Sequence, residues 1–320
     1  MKASAVAHPI QGLVKYHGLS DPLLRLPFHD SISVCTAPLE TWTTVAFEHD
    51  AKADSLELNG KLLDGRPLER AVAVLDAVRR IAGIETRARI VSRNDFPTNV
   101  GLGASASAFA AGALAGAGAA GLDLEPRQLS TIARLGAGSA SRSVTGGFSL
   151  WHTGIDHGSS YAERLDGGDL EMGIVAVVVK ALKLTEDFHK EVVGSPFFNA
   201  RLDYVEGALR EMRRAIDARD MEAIGHMAEA DTLVLHGITM TGPSRRVLWK
   251  PETLVAMQEV WAMREDGIPA YFSIDTGATV YVNCPMKDVA DVERRLQDRE
   301  LETLRCKVGG GARLVDRHLI

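Results

Sequence analysis

A glycine- and serine-rich loop between a predicted strand and a helix of small residues constrains the fold of this chain more than any other feature. The strand covers residues 86–92, the loop residues 93–104, and the helix residues 104–120, which include ten alanines. Glycines let backbone N–H groups approach an anion closely, and a helix N-terminus adds the positive end of a dipole. The pattern predicts a phosphate site or an ordinary turn, and without a following Gly-Lys-Ser/Thr it is not a Walker A loop.

Strand and helix patterns are mixed along the rest of the chain. Strands are predicted at 31–36, 43–47, 56–58, 173–180, 269–274 and 279–282, and helices at 67–82, 126–135, 202–216, 223–236, 252–264 and 288–297. Asn59-Gly60 predicts a hairpin turn, Gly83 the end of the first helix, and residues 136–143 a glycine- and serine-rich loop. The apolar run 173–180 is typical of a buried central strand.

These elements predict an α+β protein of two domains. A chain of 320 residues exceeds what one core usually needs. The character of the sequence changes near residue 180, which predicts domains at 1–180 and 181–320.

Composition excludes several classes of protein. The net charge of −6 argues against a general nucleic-acid binder, and 46% hydrophobic residues argue against disorder. Three scattered cysteines predict free, reduced thiols, and ten histidines show no zinc-like spacing. The run 104–120 is weakly hydrophobic and short for a membrane span. We therefore expect a cytoplasmic protein with neither nucleic acid nor membrane as a partner.

Three charged side chains lie in segments that are otherwise apolar or rich in glycine and serine, or at the end of a predicted strand, and each is a candidate functional residue. Arg142 lies in a glycine- and serine-rich stretch, where it is a surface charge or a bidentate anchor for a carboxylate or phosphate. Asp275 ends a predicted strand before Thr-Gly, where it is a turn residue or a base facing a pocket. Lys15, followed by Tyr16, comes after an apolar segment and either reaches solvent or faces an anion.

Five segments in this order resemble the GHMP kinase superfamily and, within it, the decarboxylases of the mevalonate pathway. They are Lys-Tyr-x-Gly at 15–18, Leu-Pro-Phe-His-Asp-Ser-Ile-Ser at 26–33, Pro-Thr-x-x-Gly-Leu-x-x-Ser at 97–105, Gly-Ser-Ala-x-Arg-Ser-x-x-Gly-Gly-Phe at 138–148, and Asp-Thr-Gly-Ala at 275–278. The resemblance implies a GHMP kinase fold, with an N-terminal ribosomal-protein-S5-like α/β domain that binds ATP and a C-terminal α/β sandwich domain. It also implies ATP and Mg²⁺ as cofactors. We further expect a homodimer.

The resemblance assigns a role to each motif residue. Such enzymes phosphorylate the C3 hydroxyl of a mevalonate phosphate, after which phosphate and CO₂ leave. Asp275 would lie beside that hydroxyl, Arg142 would hold the C1 carboxylate, and Lys15 would neutralise charge near the reacting oxygens. Further substrate contacts are expected from Tyr16, His17, Arg70, Ser139 and Ser141. Contacts with ATP are expected from Ser92, Pro97, Gly101, Leu102, Gly103, Ala104, Ser105 and Ser107, with Mg²⁺ on the ATP phosphates and at Ser105.

Two departures from the family pattern bear on the substrate. Members that use a diphosphate generally read Lys-Tyr-Trp-Gly-Lys, whereas this chain has Leu19 in place of the second lysine. Their Ser-Thr-x-Gly-Met segment is replaced by residues 183–189. The start, residues 8–18, looks most like members that act on mevalonate 5-phosphate and make isopentenyl phosphate, which leaves Arg70 as a candidate for the single phosphate or as a surface charge on a helix.

Three alternatives remain open from the sequence. The chain could act on the diphosphate and make isopentenyl diphosphate. It could be a 3-kinase that stops at the phosphorylated product. It could also be a non-catalytic relative that binds a ligand.

Overall fold

Sixteen strands and eight α-helices make up the described part of the computed structural model, which covers residues 1–181 and 189–320. The strands are β1 (Lys2–Ala7), β2 (Ile10–Val14), β3 (Leu19–Asp21), β4 (Leu26–Pro27), β5 (Ser31–Ala37), β6 (Thr41–Glu48), β7 (Ser55–Leu58), β8 (Lys61–Leu63), β9 (Arg87–Asn94), β10 (Phe148–Trp151), β11 (Ala162–Leu165), β12 (Met172–Val177), β13 (Tyr271–Ile274), β14 (Val280–Pro285), β15 (Thr303–Val308) and β16 (Arg313–Val315). The helices are α1 (Gly65–Ala82), α2 (Ala104–Ala119), α3 (Pro126–Gly136), α4 (Ala140–Thr145), α5 (Phe198–Asp217), α6 (Met221–Met240), α7 (Pro251–Glu265) and α8 (Val289–Gln297).

One sheet has six strands in the order β16-β1-β6-β9-β7-β8. Helices α1, α2 and α3 bury their apolar faces in a common core with this sheet. The β7–β8 turn has Asn59 at φ +52 and Gly60 at φ +81, the left-handed pair that a tight two-residue hairpin requires. Gly83 ends α1 at φ +66, so both turn predictions are confirmed.

The second sheet follows the order β11-β10-β5-β15-β12-β14-β13, and β2 also pairs with β5. All six residues of β12 are buried, as its apolar run predicts. Ile174 and Ala176 face the core that contains α5 and α6, whereas Val175 and Val177 face the core that contains α7 and α8. This alternation of period two explains why a strand covered on both faces has no polar positions.

The predicted α+β class is confirmed, but the two halves of the chain share sheets. Strand β12 precedes residue 180 and pairs with β14 and β15, which follow it. Strand β16, close to the C-terminus, pairs with β1. The division at residue 180 therefore remains a prediction. Among the described residues, no helix combines the length and apolar character needed to cross a bilayer.

Local differences from the predicted elements have physical reasons. The predicted loop 136–143 contains the start of α4, a helix of six residues that is followed by Gly146 as its C-cap. Strand β1 was not predicted because its sequence, KASAVA, is rich in residues with low strand propensity. It forms a strand because β6 and β16 pair with it on either side.

Candidate functional site

Two cavities lie on either side of the α2 N-terminus. The larger has a volume of about 630 Å³, and the smaller, called the central cavity below, has a volume of about 90 Å³. Gly103, which precedes α2, borders the central cavity, while Ala104 and Ser105 border the larger one. A group bound at this helix end would therefore face both cavities.

The larger cavity has apolar walls with polar groups placed among them. Leu58 and Leu63 of the β7–β8 hairpin, Leu75 of α1 and Ile90 of β9 contribute apolar side chains. Polar groups come from Thr43, Asn59, Ser92, Asn94 and Ser105. An apolar slot with a few directional polar groups suits a flat heterocycle joined to a charged tail.

The glycines of the loop before α2 are required by close contacts. Gly103 has φ +74, and a Cβ there would lie 2.8 Å from the carbonyl oxygen of Ile10. Gly101 has φ +90, and a Cβ there would lie 3.2 Å from Cβ of Thr279. The loop thus packs directly on β2, which carries it to the edge of the central cavity.

Some of the predicted ATP-binding residues line one of the two cavities, and the others line neither. Ser92, Ala104 and Ser105 line the larger cavity, and Gly103 lines the central one. Pro97 is exposed, and Gly101 contacts Thr279. Leu102 and Ser107 are both buried and line neither described cavity, so their contacts with ATP remain a prediction.

The position of Ser107 on α2 explains why its side chain faces the protein interior. Its Oγ lies 2.6 Å from Oγ1 of Thr41 and donates to the carbonyl oxygen of Ala104 at 3.2 Å. Residues two apart on a helix point to nearly opposite sides, so Ser105 and Ser107 cannot both face the cavity. Ser92 borders the cavity, but its hydroxyl lies 2.7 Å from that of Thr43.

The central cavity brings together residues from six separate segments of the chain. Lys15 and Tyr16 follow β2, Ser139 and Arg142 lie at α4, and Asp275 follows β13. The remaining lining residues are Ile10, Gly12, Gly103, His189, Leu235 and Thr276. The three residues predicted to be catalytic therefore share one wall, although they are up to 260 residues apart in sequence.

Asp275 is held in place by the strand beside it. Its Oδ1 accepts a hydrogen bond from the Gly12 amide at 2.9 Å, and its carbonyl oxygen accepts one from Nε2 of His236 at 2.9 Å. A Cβ on Gly12 would lie 3.0 Å from Oδ1 of Asp275 and 2.6 Å from Cγ of Lys15. Glycine at position 12 therefore allows the carboxylate and the lysine to pack against the same strand, β2.

Arg142 is a buried cation with two guanidinium nitrogens left without acceptors. The residue is 2% exposed, and within residues 1–181 and 189–320 its Nε and Nη1 atoms have no hydrogen-bond partner. The Tyr16 and Trp151 rings lie 5.5 and 5.6 Å from its Cζ, and burial lowers its pKa to about 10. Because a buried, unpaired charge is costly, this arrangement favours an anion in the central cavity.

Lys15 is also buried, but the protein surrounds it with acceptors. Its Nζ donates to Oγ1 of Thr232 at 3.0 Å and to the Ala228 carbonyl at 3.4 Å, and it lies 3.7 Å from Oδ2 of Asp231. Burial lowers the pKa of Lys15, and the carboxylates of Asp231 and Asp275 oppose that change. The ammonium group is thus held on one side of the cavity.

Two other predicted substrate contacts lie away from the central cavity wall. His17 is buried, with its Nδ1 3.1 Å from Nδ1 of His189 and its Nε2 3.2 Å from Oγ1 of Thr239. Burial and the neighbouring histidines lower its pKa well below the usual value, so the ring is neutral. Ser141 donates to the Gly138 carbonyl at 2.7 Å. Each side chain makes hydrogen bonds within the protein, and its contact with the substrate remains a prediction.

Arg70 borders the larger cavity rather than the central one. Its Nε donates to the Gly136 carbonyl at 2.5 Å, and its Cζ lies 4.7 Å from the Phe109 ring centre. Burial lowers its pKa to about 9, and the cations Arg25 and Arg66 add to this effect. Arg70 is therefore not an exposed helix charge.

Sequence reasoning missed the residues of α6 and α5 that surround Lys15. Asp231, Thr232 and His236 are buried on α6, and Arg201 is buried on α5. Polar residues recurring on the inner face of a helix were the available signal. Of the distinctive segment 183–189, residues 183–188 lie outside the described residues. The last residue of the segment, His189, is stacked on Tyr16 with ring centres 5.1 Å apart.

The sequence is similar to a known family over its N-terminal half and to one relative over nearly its whole length. The family described as "Diphosphomevalonate decarboxylase-like N-terminal domain" matches residues 7–162. The phosphomevalonate decarboxylase of Haloferax volcanii is 47% identical over 319 residues, which cover 99% of this chain and 98% of that protein.

Solved structures resemble the chain over its whole length. The mevalonate diphosphate decarboxylase from Enterococcus faecalis, whose structure is described in terms of ATP binding mediated by mevalonate diphosphate, has a TM-score of 0.92 at 32% identity and 99% coverage of both chains. A structure described as "MDDEF in complex with MVAPP, AMPPCP and Magnesium" has a TM-score of 0.93 at 31% identity, again with 99% coverage of both chains.

Proposed function

This chain belongs to the diphosphomevalonate decarboxylase family of the GHMP kinase superfamily, whose fold it has, and on that premise we propose that its substrate is mevalonate 5-phosphate. It is an ATP-dependent decarboxylase of the mevalonate pathway. The proposed reaction converts (R)-mevalonate 5-phosphate and ATP into isopentenyl phosphate, CO₂, ADP and phosphate. The convergence of Lys15, Arg142 and Asp275 on one cavity beside the α2 N-terminus carries the proposal.

The larger cavity is the proposed site for ATP. Its apolar walls would hold the adenine, and the triphosphate would extend toward Ser105 and the first backbone N–H groups of α2. Gly103 has no side chain to separate the helix end from the central cavity. The γ-phosphate would then lie where a hydroxyl in the central cavity can attack it.

Mg²⁺ fits this arrangement as an ion carried by the nucleotide. Within residues 1–181 and 189–320, no group of three or more histidine, cysteine or acidic side chains converges into a metal site. The ATP phosphates would therefore supply most ligands, with the exposed Ser105 hydroxyl as the candidate protein ligand. The ion would neutralise charge on the phosphates.

In the first chemical step, the C3 hydroxyl of the substrate attacks the γ-phosphorus of ATP. Asp275 accepts the hydrogen bond from that hydroxyl and takes up its proton as the O–P bond forms, because its carboxylate is fixed by Gly12 at the cavity wall. ADP leaves with the electrons of the broken P–O bond. Phosphoryl transfer depends mostly on positioning and charge stabilisation, which the carboxylate, Lys15 and the helix end provide.

In the second step, the new C3 phosphate leaves and the C1 carboxylate departs as CO₂. The electrons of the C1–C2 bond form the C2–C3 double bond as the C3–O bond breaks. Arg142 holds the carboxylate through the N–H groups that lack protein partners. Its binding aligns the C1–C2 bond with the leaving phosphate and keeps water out of a buried site.

The choice of a substrate with one phosphate rests on two observations. Leu19, half-buried in β3, stands where members using a diphosphate carry a lysine that helps to bind the second phosphate. The relative with 47% identity over nearly the whole chain is a phosphomevalonate decarboxylase. One cation fewer suits a substrate with fewer negative charges.

Turnover on the two substrates tests this choice. We expect kcat/KM for mevalonate 5-phosphate to exceed that for the 5-diphosphate at least about 10-fold, or about 1.4 kcal/mol in transition-state binding. Leu19→Lys should narrow the ratio by improving use of the diphosphate, while Leu23→Lys, an exposed change in the same hairpin, should leave it unchanged. Equal or reversed rates for the wild type would assign the chain to the diphosphate users.

We also propose a cytoplasmic homodimer built from the two domains predicted above. Cys35, Cys284 and Cys306 are all free and buried, as a reducing compartment favours, and burial raises the pKa of each thiol to about 12. Light scattering coupled to gel filtration would contradict the dimer if it gave the mass of one 34.5 kDa chain at assay concentrations.

A further inference from the structure

Asp231 and Arg201 form a buried charge cluster with Lys15, and neither of the two has a role in the reaction described above. The exposed fractions of Lys15, Asp231 and Arg201 are 4%, 0% and 1%. Three charges removed from water are expensive unless their arrangement serves stability or function. Here the single carboxylate contacts both the segment that carries the proposed catalytic lysine and Arg201, which binds the same segment.

Asp231 binds the Lys15 segment at two points and Arg201 at a third. Oδ2 of Asp231 accepts a hydrogen bond from the Lys15 backbone N–H at 2.9 Å and lies 3.7 Å from its Nζ. Oδ1 accepts from Nη1 of Arg201 at 2.6 Å, and Nη2 of Arg201 donates to the Lys15 carbonyl at 2.7 Å. The carboxylate and the guanidinium thus bind each other and the backbone N–H and C=O of the same residue, Lys15.

The next residue on α6 connects this ring to the strand that ends at Asp275. Oγ1 of Thr232 accepts from Nζ of Lys15 at 3.0 Å and from the Ile274 N–H at 3.1 Å. Its own hydroxyl donates to the Ala228 carbonyl at 2.7 Å. One turn of α6 therefore sets the position of the lysine relative to the residue beside Asp275.

We propose that Asp231, braced by Arg201, is a positioning residue that fixes Lys15 beside the central cavity and keeps its ammonium group charged there. The inference rests on the proposed function, because it assigns Lys15 to the reacting oxygens. Asp231 itself does not border the described cavity, so it acts only through Lys15.

The charges facing Lys15 give this role a distinctive signature. Burial and the Arg201 cation lower the pKa of Lys15, whereas Asp231 and Asp275 raise it. His236 is held neutral by burial, which lowers its pKa to about 4. Removing the Asp231 charge should therefore lower the pKa of Lys15 further, and the ammonium should lose its proton at a lower pH.

The test compares Asp231→Asn with Glu229→Gln, a matched change on the same helix. Glu229 is also a buried carboxylate paired with an arginine, since its Oε1 accepts from Arg264 at 2.6 Å and from the Phe272 N–H at 3.0 Å. Both variants lose one buried charge from α6, but only the first touches Lys15. The pH dependence of kcat and KM is measured for each, with the folded fraction followed by circular dichroism.

We expect Asp231→Asn to lower kcat about 10- to 100-fold and to move the alkaline limb of the kcat profile down by about 1 pH unit or more. Glu229→Gln should retain the wild-type limb whatever it does to stability, and Asp231→Glu should restore the limb toward the wild type. If Asp231→Asn does not fold, Asp231→Asn with Arg201→Gln replaces the ion pair by a neutral hydrogen-bonded pair and carries the same expectation. A limb unchanged in the folded variant would overturn the proposal.

A direct titration separates this inference from the proposed function. The ¹³Cε resonance of Lys15 in labelled protein, identified by its absence in Lys15→Met, should titrate at a lower pH in Asp231→Asn than in the wild type. An unchanged titration would refute the role of Asp231 even in an active enzyme. A wild type that releases no CO₂ from either mevalonate phosphate would refute the proposed function and leave this readout standing.

Discussion

Replacing Arg142 should remove activity without weakening the fold. The residue is 2% exposed, and Nε and Nη1 lack acceptors in the part of the chain that the structure describes, so the folded enzyme bears the cost of a buried cation until a carboxylate binds. Arg142→Met keeps the apolar stem between Tyr16 and Trp151 and removes the charge. Exchanging a poorly paired buried ion for an apolar group of similar length is often neutral or stabilising.

The kinetic loss follows from leaving the substrate carboxylate unpaired in the central cavity. Truncating one partner of a buried, hydrogen-bonded charge pair costs about 2–5 kcal/mol. At about 1.4 kcal/mol for each factor of ten, kcat/KM should fall roughly 30- to 5,000-fold. Arg142→Lys should lie between the wild type and Arg142→Met, because it keeps the charge and loses the bidentate fork.

Release of ADP coupled to NADH oxidation measures the loss, and urea unfolding measures stability. Arg134→Met is the matched control, because Arg134 is also fully buried but donates to the carbonyl oxygens of Leu24 and His157. The control should lose stability and keep its KM for the substrate. Wild-type kinetics in Arg142→Met, or a loss of folding equal to that of the control, would refute the reasoning.

Three further predictions concern the carboxylate, the helix end and a buried histidine. Asp275→Asn should lower kcat about 10²- to 10⁴-fold while the substrate still binds. The release of ADP and of CO₂ should fall together because phosphorylation comes first, and a loss of CO₂ release alone would contradict the role of Asp275 in phosphorylation. Ser105→Ala should raise the KM for ATP without changing stability. Ser107→Ala should instead lower the free energy of unfolding by about 1 kcal/mol and leave the KM for ATP unchanged. A raised KM for ATP in Ser107→Ala but not in Ser105→Ala would contradict the assignment of Ser105 to the larger cavity. Burial lowers the pKa of His236 to about 4 in the folded protein. In the unfolded chain this histidine takes up its proton at a higher pH, so stability should fall as the pH drops from about 6.5 toward 4. Urea unfolding at several pH values checks this, and His236→Gln should flatten the decline.

The sequence was most informative where one residue type alone meets a local requirement. Asn59-Gly60 and Gly83 occupy left-handed positions, so their turns could be predicted from neighbouring residues. The run 173–180 predicted a buried strand because both faces of β12 are covered. These predictions needed no knowledge of distant contacts.

The parts of the site that escaped prediction depend on residues far apart in the chain. Asp231 binds the backbone of a residue 216 positions away, and Arg201 binds the same residue across 186 positions. Backbone groups look alike in any sequence, so no pattern marks their partner. The different orientations of Ser105 and Ser107 on α2 could not be read from the motif either, because a motif does not state which side of the helix faces a cavity.

The most direct test of the account is the stoichiometry of one reaction with purified enzyme, ATP, Mg²⁺ and mevalonate 5-phosphate labelled with ¹⁴C at C1. We expect ADP, phosphate, ¹⁴CO₂ and isopentenyl phosphate in equal amounts, the organic product being identified by mass spectrometry. ADP formed together with a stable phosphorylated acid and no ¹⁴CO₂ would show a kinase, and no ADP above background would show a ligand-binding protein. Either result would contradict the account.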